Sequence, residues 1–319
     1  QGKDVTPENY LNVITGNGAA MEGIGSGRVL NSTDKDRVFL NFADHGAPGL
    51  IAFPSKYLYA TDLLNALRTM KTNKLYSQLV YYLEACESGS MFQNLASDLD
   101  IYAVTAANAK ESSWGYYCGA EAVVKGKNIG SCLGDLFSIS WMEDTENNPS
   151  TDSLTVQFER VKRRTSMSHV CKFGDFTFAG EPIQDFLGKH DISERDDEEI
   201  LSKAIDSRDI KLYYLIDRNS RENSEDTFAE LNKEIFMRKR YDQIFSVIRK
   251  FHKRIPTAED TDFECYKDLI ETFENACGKF TEYGLQYLRS FYDICSAEDI
   301  KKTAVKNTVI ALCQDVFTA

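Results

Sequence analysis

No run of apolar residues in this chain approaches the ~18 that a membrane-spanning helix needs, so no span is expected. The first residues carry no charged segment followed by an apolar one, so no signal peptide is expected within the chain. Basic residues are in the minority. Lys and Arg number 37 against 49 Asp and Glu, giving a formal net charge of −12, which disfavours nucleic acid as a partner. Histidine is scarce, with 4 in the chain. His169 and His190 stand alone, and Cys118 with Cys132 lacks the paired Cys-x-x-Cys spacing of a zinc site, so no metal is expected. Gly16 to Gly27 is glycine-rich, but no Gly-Lys-Ser/Thr follows. It therefore reads as a connection rather than a phosphate loop, and no cofactor is expected. The basic run Arg238-Lys239-Arg240 reads as a solvated helix face. No period suggests internal repeats.

What is present is a globular balance. Hydrophobic residues make up 42% and charged residues 27% of the 319, enough for one large or two medium domains with real cores. The most informative stretch runs from Leu79 to Ser90. It begins as Leu-Val-Tyr-Tyr-Leu, the composition of a strand buried on both faces. It then meets Glu84 and Cys86, and Ser88-Gly89-Ser90 allows a sharp turn. Arg37 to Ala43 has the same design, ending at Asp44-His45-Gly46. If the two strands are neighbours, an imidazole and a thiol share one rim of one sheet, where open α/β sheets place their ligands. That is what a cysteine nucleophile needs: a base for its proton and a groove for substrate.

Along the chain, Thr6-Pro7-Glu8 opens a helix to about Thr15. Strand 37–43, a helix from Tyr59 to Met70, the Cys86 strand and a strand over Ile101–Ala106 have the rhythm of a parallel α/β sheet. Residues 109–150 read mostly as loop, followed by a helix over 150–164 and a short strand at His169–Phe173. Gly188 to Glu199 is acidic and marks a domain boundary. A helix is expected from Glu198 through Leu215, and the polar segment Asp217 to Ser224 reads as an exposed, extended linker. From Asp226 the pattern is helical, with Leu231, Ile235, Ile244, Ile248 and Phe251 on one stripe, and further helices over 262–275, 281–293 and 298–315. Cys265, Cys277, Cys295 and Cys313 fall in this part. Composition alone leaves two readings open, two disulfides or four buried thiols. Asn31-Ser32-Thr33 is a glycosylation sequon.

Asp44-His45-Gly46 and Glu84-Ala-Cys86-Glu-Ser-Gly-Ser each follow a strand. With Thr105-Ala-Ala-Asn108, Glu111-Ser-Ser-Trp114, Leu133-Gly-Asp135 and Trp141-Met-Glu-Asp144, they resemble the legumain, or asparaginyl endopeptidase, family. The resemblance runs from about Asp4 to about Val170 and more loosely to the C-terminus. It implies an α/β, caspase-like sheet with flanking helices over 1–187, a linker and activation segment at 188–224, and an all-α, disulfide-linked prodomain at 225–319. A strand and helix of the family would precede Gln1, and with them an asparagine that orients the histidine and an Arg-His pair of the specificity pocket.

The resemblance also assigns roles. Cys86 would be the nucleophile, His45 the base and Gly46 a backbone donor to the oxyanion. Glu84, Ser112 and Asp135 would read an asparagine side chain, whose amide needs acceptors and donors together. Asp44 would be a succinimide former; an ordinary turn carboxylate is the alternative. The linker would be processed after Asn219 or Asn223. The implied disulfides are Cys265–Cys295 and Cys277–Cys313, with a loop disulfide at Cys118–Cys132, and Cys171 is left without an evident partner. The implied function is hydrolysis after asparagine, and after aspartate in acid, by a latent precursor in the lysosome or vacuole or secreted. Protein and peptide substrates follow as partners, and the resemblance admits cystatin-type inhibitors. Peptide ligation by the same site is one alternative. An inactive, truncated relative acting as a binding protein is another. A glycolipid-anchor transamidase fits less well, for want of a membrane span.

Overall fold

The computed structural model describes residues 2–189, 203–251, 261–297 and 302–317. They fall into two units, Gln1–Ser207 and Arg208–Ala319. The proposed boundary at 188–199 and the expected helix start at Glu198 lie mostly outside the described residues, as does His190.

The first unit is α/β. Helix α1 (Pro7–Ile14) is capped by the Thr6 side chain, which accepts from the Asn9 N–H at 3.2 Å. Strand β1 (Arg37–Ala43) is followed by β2 (Gly46–Ala47), β3 (Leu50–Ala52) and β4 (Tyr57–Tyr59), which form a small antiparallel sheet. Helix α2 (Ala60–Thr72) buries Leu63, Leu64, Leu67 and Met70 on one stripe. Strands β5 (Gln78–Glu84) and β6 (Ile101–Thr105) are buried along nearly their whole length, as their apolar composition demands.

Residues 109–150, expected as loop, are more regular. They hold β7 (Trp114–Tyr116), the hairpin β8 (Val123–Val124) with β9 (Lys127–Asn128), β10 (Gly134–Asp135) and helix α3 (Leu136–Asn147). Helix α4 (Leu154–Arg164), strand β11 (Cys171–Gly174), the short α5 (Gln184–Leu187) and strand β12 (Ile205–Asp206) complete the unit.

The main sheet has the order β1-β5-β6-β11, with β1, β5 and β6 parallel and β11 antiparallel to β6. One face of it carries an apolar cluster that includes Val80, Tyr82, Tyr102, Phe137, Trp141 and Phe158. Tyr82 satisfies its hydroxyl there by donating to Gln157 Oε1 at 2.7 Å, so the aromatic is buried without losing a hydrogen bond. A second sheet, β10-β7-β12, is antiparallel throughout.

The second unit is all-α: α6 (Ile210–Glu222), α7 (Glu225–Ile248), α8 (Phe263–Cys277), α9 (Leu288–Cys295) and α10 (Lys302–Phe317). The expected helix through 203–215 is therefore divided, since Ile205–Asp206 is strand. The expected extended linker at 217–224 is also not extended. Its polar composition hides a helix end held by i,i+4 ion pairs, Arg221 to Asp217 at 2.9 Å and Arg218 to Glu222 at 3.1 Å, of the kind that supports exposed helices. Asn223, with φ of +44°, ends α6, and Ser224 opens α7 with a capping box to Thr227. Disulfides Cys265–Cys295 and Cys277–Cys313 span separations of 30 and 36 residues, each worth about 3–4 kcal/mol in the chain-entropy account. Tyr241, Phe245, Phe273, Phe280 and Tyr287 form a run of stacked rings, with Phe291 tilted or edge-on against Phe245 and Phe280.

Candidate active site

Strands β1 and β5 are neighbours, parallel, and in a register that pairs Ala43 with Glu84. The ladder continues one step further, with the Asp44 N–H donating to the Glu84 carbonyl at 3.2 Å. His45 and Cys86 are therefore each two residues past the same rung, at the C-terminal rim of the sheet. Gly46 brings the two chains into contact. A Cβ built on it would stand 2.3 Å from the Cys86 carbonyl oxygen and 3.0 Å from the Ala85 Cβ, so only glycine fits.

Cys86 is buried, at 1% exposure. The Ser113 N–H donates to its Sγ at 3.2 Å, and the Ser113 Oγ lies 3.6 Å away. A backbone donor aimed at the sulfur favours negative charge there. Glu87 follows in the left-handed conformation, with φ of +49°, and its N–H donates to the Glu111 carbonyl at 2.8 Å. A non-glycine residue in this region signals a backbone held by its surroundings. The turn is tied back by Ser90, whose Oγ donates to the Glu87 carbonyl at 2.6 Å and accepts from the Gly49 N–H at 2.8 Å.

Three carboxyl groups, Glu84, Asp135 and Asp44, are linked through their charges near the same rim. Glu84 is buried at the end of β5, and its Oε2 accepts from the N–H and the hydroxyl of Ser138, both at 2.8 Å, in the first turn of α3. Its Oε1 is buried and has no partner among the described residues. Burial, with the neighbouring charge of Asp135, pushes the Glu84 carboxyl well above the usual carboxylate range. Burial pushes Asp135 up to about 6, with His45 opposing and Asp44 adding to the rise. Asp44 is also raised by desolvation, against its hydrogen bond from the His45 N–H at 2.7 Å. Asp135 thus feels the charges of His45 and Asp44, and Glu84 that of Asp135.

The other candidates are more scattered. Ser112 is half-buried, but its neighbour Ser113 makes the contact with Cys86. Ser113 and, beyond it, Ser207, whose Oγ is 3.1 Å from the Ser113 Oγ, were not singled out from sequence. The doublet in Glu-Ser-Ser-Trp was the only available signal. Cys118–Cys132 is a disulfide, and Cys171 is a half-buried free thiol donating to the His169 carbonyl at 3.2 Å. Asn31 is exposed. Asn219 lies within α6, and Asn223 lies at its exposed end. Among the described residues no group of three or more His, Cys, Asp or Glu could hold a metal ion.

Residues 1–189 match the family model Peptidase C13 family, and residues 216–313 match Legumain, prodomain. Curated relatives cover nearly the whole chain. They include a vacuolar-processing enzyme of Citrus sinensis, 36% identical over 99% of this chain and 70% of its own length. The vacuolar-processing enzyme delta-isozyme of Arabidopsis thaliana is 38% identical over 94% of this chain and 71% of its own. Legumain of Canavalia ensiformis is 30% identical over 98% and 72%. A strand-end thiol beside a strand-end imidazole, a family match over more than half of the chain and relatives of this similarity lead to one conclusion: the chain belongs to the peptidase C13 family of cysteine peptidases.

Proposed function

We propose that this cysteine endopeptidase cuts peptide bonds after asparagine, and after aspartate in acid, and that it is made as a latent precursor. The observation that carries the reading is the matched exit of His45 and Cys86 from paired strands, with the Ser113 N–H on the sulfur. His45 takes the Cys86 proton, and the thiolate adds to the carbonyl carbon of the scissile bond. The N–H groups of Cys86 and Gly46 receive the oxyanion. His45 returns the proton to the leaving amine as the C–N bond breaks, leaving a thioester on Cys86. Water, deprotonated by His45, then splits the thioester and restores the thiol.

Glu84 and Asp135 give the pocket its acceptors for the amide N–H₂ of asparagine. At pH 7 an ionised aspartate would meet the Asp135 carboxylate as a like charge, and protonation in acid removes that penalty. The helical C-terminal unit keeps the precursor latent until the chain is cut. The relatives called vacuolar-processing enzymes support a vacuolar or lysosomal setting. The test is an Asn-containing fluorogenic peptide and its Asp counterpart at pH 7 and pH 5, with Cys86→Ser as control. Turnover that survives Cys86→Ser, or Asp preferred at pH 7, defeats the reading.

A further inference from the structure

Strand β6 ends at Thr105 and β7 begins at Trp114. The connection between them lies along the turn that follows Cys86. The Gly89 N–H donates to the Ala107 carbonyl at 3.0 Å, and the Glu87 N–H donates to the Glu111 carbonyl at 2.8 Å. In return, the Ser113 N–H donates to the Cys86 Sγ at 3.2 Å. The place of that last donor depends on how firmly residues 106–113 are held.

One carboxylate fastens them from the other side. Glu111 Oε1 accepts from the Asn108 N–H at 2.9 Å and from the His169 N–H at 2.7 Å, and its Oε2 lies 2.8 Å from the His169 Nδ1. His169 stands just before β11, whose Cys171 pairs with Thr105 at the end of β6. Glu111 thus closes the connection on itself through Asn108 and ties it to the main sheet through His169. Burial alone would raise the Glu111 carboxyl, but the donors on Asn108 and His169 hold it below the usual carboxylate range. A group held down in this way keeps its contribution until pH falls through the lowered value, so the tie lasts in mild acid.

We propose that Glu111 and His169 are positioning residues for the reaction at Cys86: their pairing holds the 106–113 connection so that the Ser113 N–H stays on the sulfur and stabilises the thiolate. The proposal rests on the reading of Cys86 as nucleophile. Both residues act through the backbone of Ser113, and the sign of one measurement separates this role from a plain charge effect. Losing a nearby anion lowers the pKa of a thiol, whereas losing a donor to the thiolate raises it.

The test needs no turnover. In the full chain, iodoacetamide labelling of Cys86 is followed by peptide mass spectrometry between about pH 4 and 9, and the midpoint of rate against pH reports where the thiolate forms. Glu111→Ala is expected to raise that midpoint by about one pH unit, as partial loss of a hydrogen bond to a charged acceptor would give. Glu111→Gln is expected to stay within about 0.3 pH unit of the wild type, because its amide oxygen still accepts from both backbone N–H groups. His169→Ala keeps its backbone N–H and loses only the ring, so a rise of about 0.5 pH unit is expected. Its side chain is 78% exposed, so this variant decides the matter if Glu111→Ala does not fold. A midpoint unmoved or lowered in the alanine variants that fold overturns the proposal. So does a rise in Glu111→Gln equal to that in Glu111→Ala, since the acceptor oxygen would then not be what holds the connection. Failure of the endopeptidase reading looks different: a chain whose midpoints move as expected yet which cleaves no asparagine peptide loses that reading and keeps this one.

Discussion

Gly46 and Cys86 show how closely the site's chemistry depends on single atoms. With a Cβ at 2.3 Å from the Cys86 carbonyl, Gly46→Ala would force β2 away from the end of β5. Overpacking of this kind costs about 1–3 kcal/mol, and it would also move the N–H proposed to receive the oxyanion. Gly46→Ala is therefore expected to lower kcat by about 100-fold, the scale of losing one oxyanion donor, with KM changed much less. Steady-state kinetics and a denaturant melt of the same variant separate the two effects, and a variant that melts early but turns over normally would remove Gly46 from the mechanism. At this scale much was legible. His45, Cys86 and Glu84 stand out in the sequence because each lies at the end of an apolar run, now β1 and β5, whereas Asp135 ends no such run and stands out only through the resemblance. Ser113 and Ser207 could not. Each is a small polar residue among many, and only the β7 and β12 ladder brings Ser207 to Ser113 across 94 positions of sequence.

At the scale of elements, strong periodicity was read well and weak periodicity was missed. Strand β1 and helices α1 and α2 stand where their patterns put them, whereas α7 buries Arg238 and Arg240 of the run expected as a solvated face. Helix α3 was missed because its sequence, Leu-Phe-Ser-Ile-Ser-Trp-Met-Glu-Asp-Thr-Glu-Asn, carries no clean polar face, and it buries Ser138, Ser140 and Asp144 together with its apolar residues. Helix α6 runs on to Glu222, past the end its apolar residues mark, because its polar last turns are held by ion pairs. That correction sharpens a prediction. Asn219 sits inside α6, and its Oδ1 accepts from the Thr227 hydroxyl at 3.2 Å, while its carbonyl accepts from the Asn223 N–H at 2.9 Å. Asn223 is exposed and already outside the helix. A protease needs an extended segment, and fraying one helix end costs less than opening a helix interior. Cleavage by an active asparaginyl endopeptidase at acidic pH is expected after Asn223, giving Ser224 as a new first residue by intact mass. Asn223→Ala should prevent most of it and Asn219→Ala should not. The opposite pattern would mean that α6 opens more readily than its end.

Over the whole molecule, the buried carboxyls beside Cys86 and the ion-paired carboxyls of the second unit respond to acid with opposite signs. In the first, Asp135 is raised to about 6, and Glu84 and Asp44 are raised as well. A group whose folded pKa lies above its unfolded value contributes stability that is fully present below the unfolded value and lost as pH rises through the folded one. The first unit is therefore weakened between pH 4 and 7 as Asp135 ionises, by about 2 kcal/mol for a shift of this size. In the second, the Arg238 and Lys211 partners hold Glu234 down against its burial, and Lys302 holds Asp262 down. Those groups contribute stability above the ordinary carboxylate value and lose it only as pH falls through their lowered ones. An interval near pH 5 follows in which the first unit has gained stability and the second has not yet lost it. The expected result is a melting temperature for the first unit that rises by about 4 °C from pH 7.5 to pH 5. In Asp135→Asn, which cannot ionise, that rise should shrink, with the pH 7.5 value moved up toward the pH 5 value and the remainder left to Glu84 and Asp44. Calorimetry of both chains at the two pH values decides it. A wild-type first unit that melts higher at pH 7.5 than at pH 5 would mean that burial does not hold the carboxyl cluster of Asp135, Glu84 and Asp44 protonated in the folded chain.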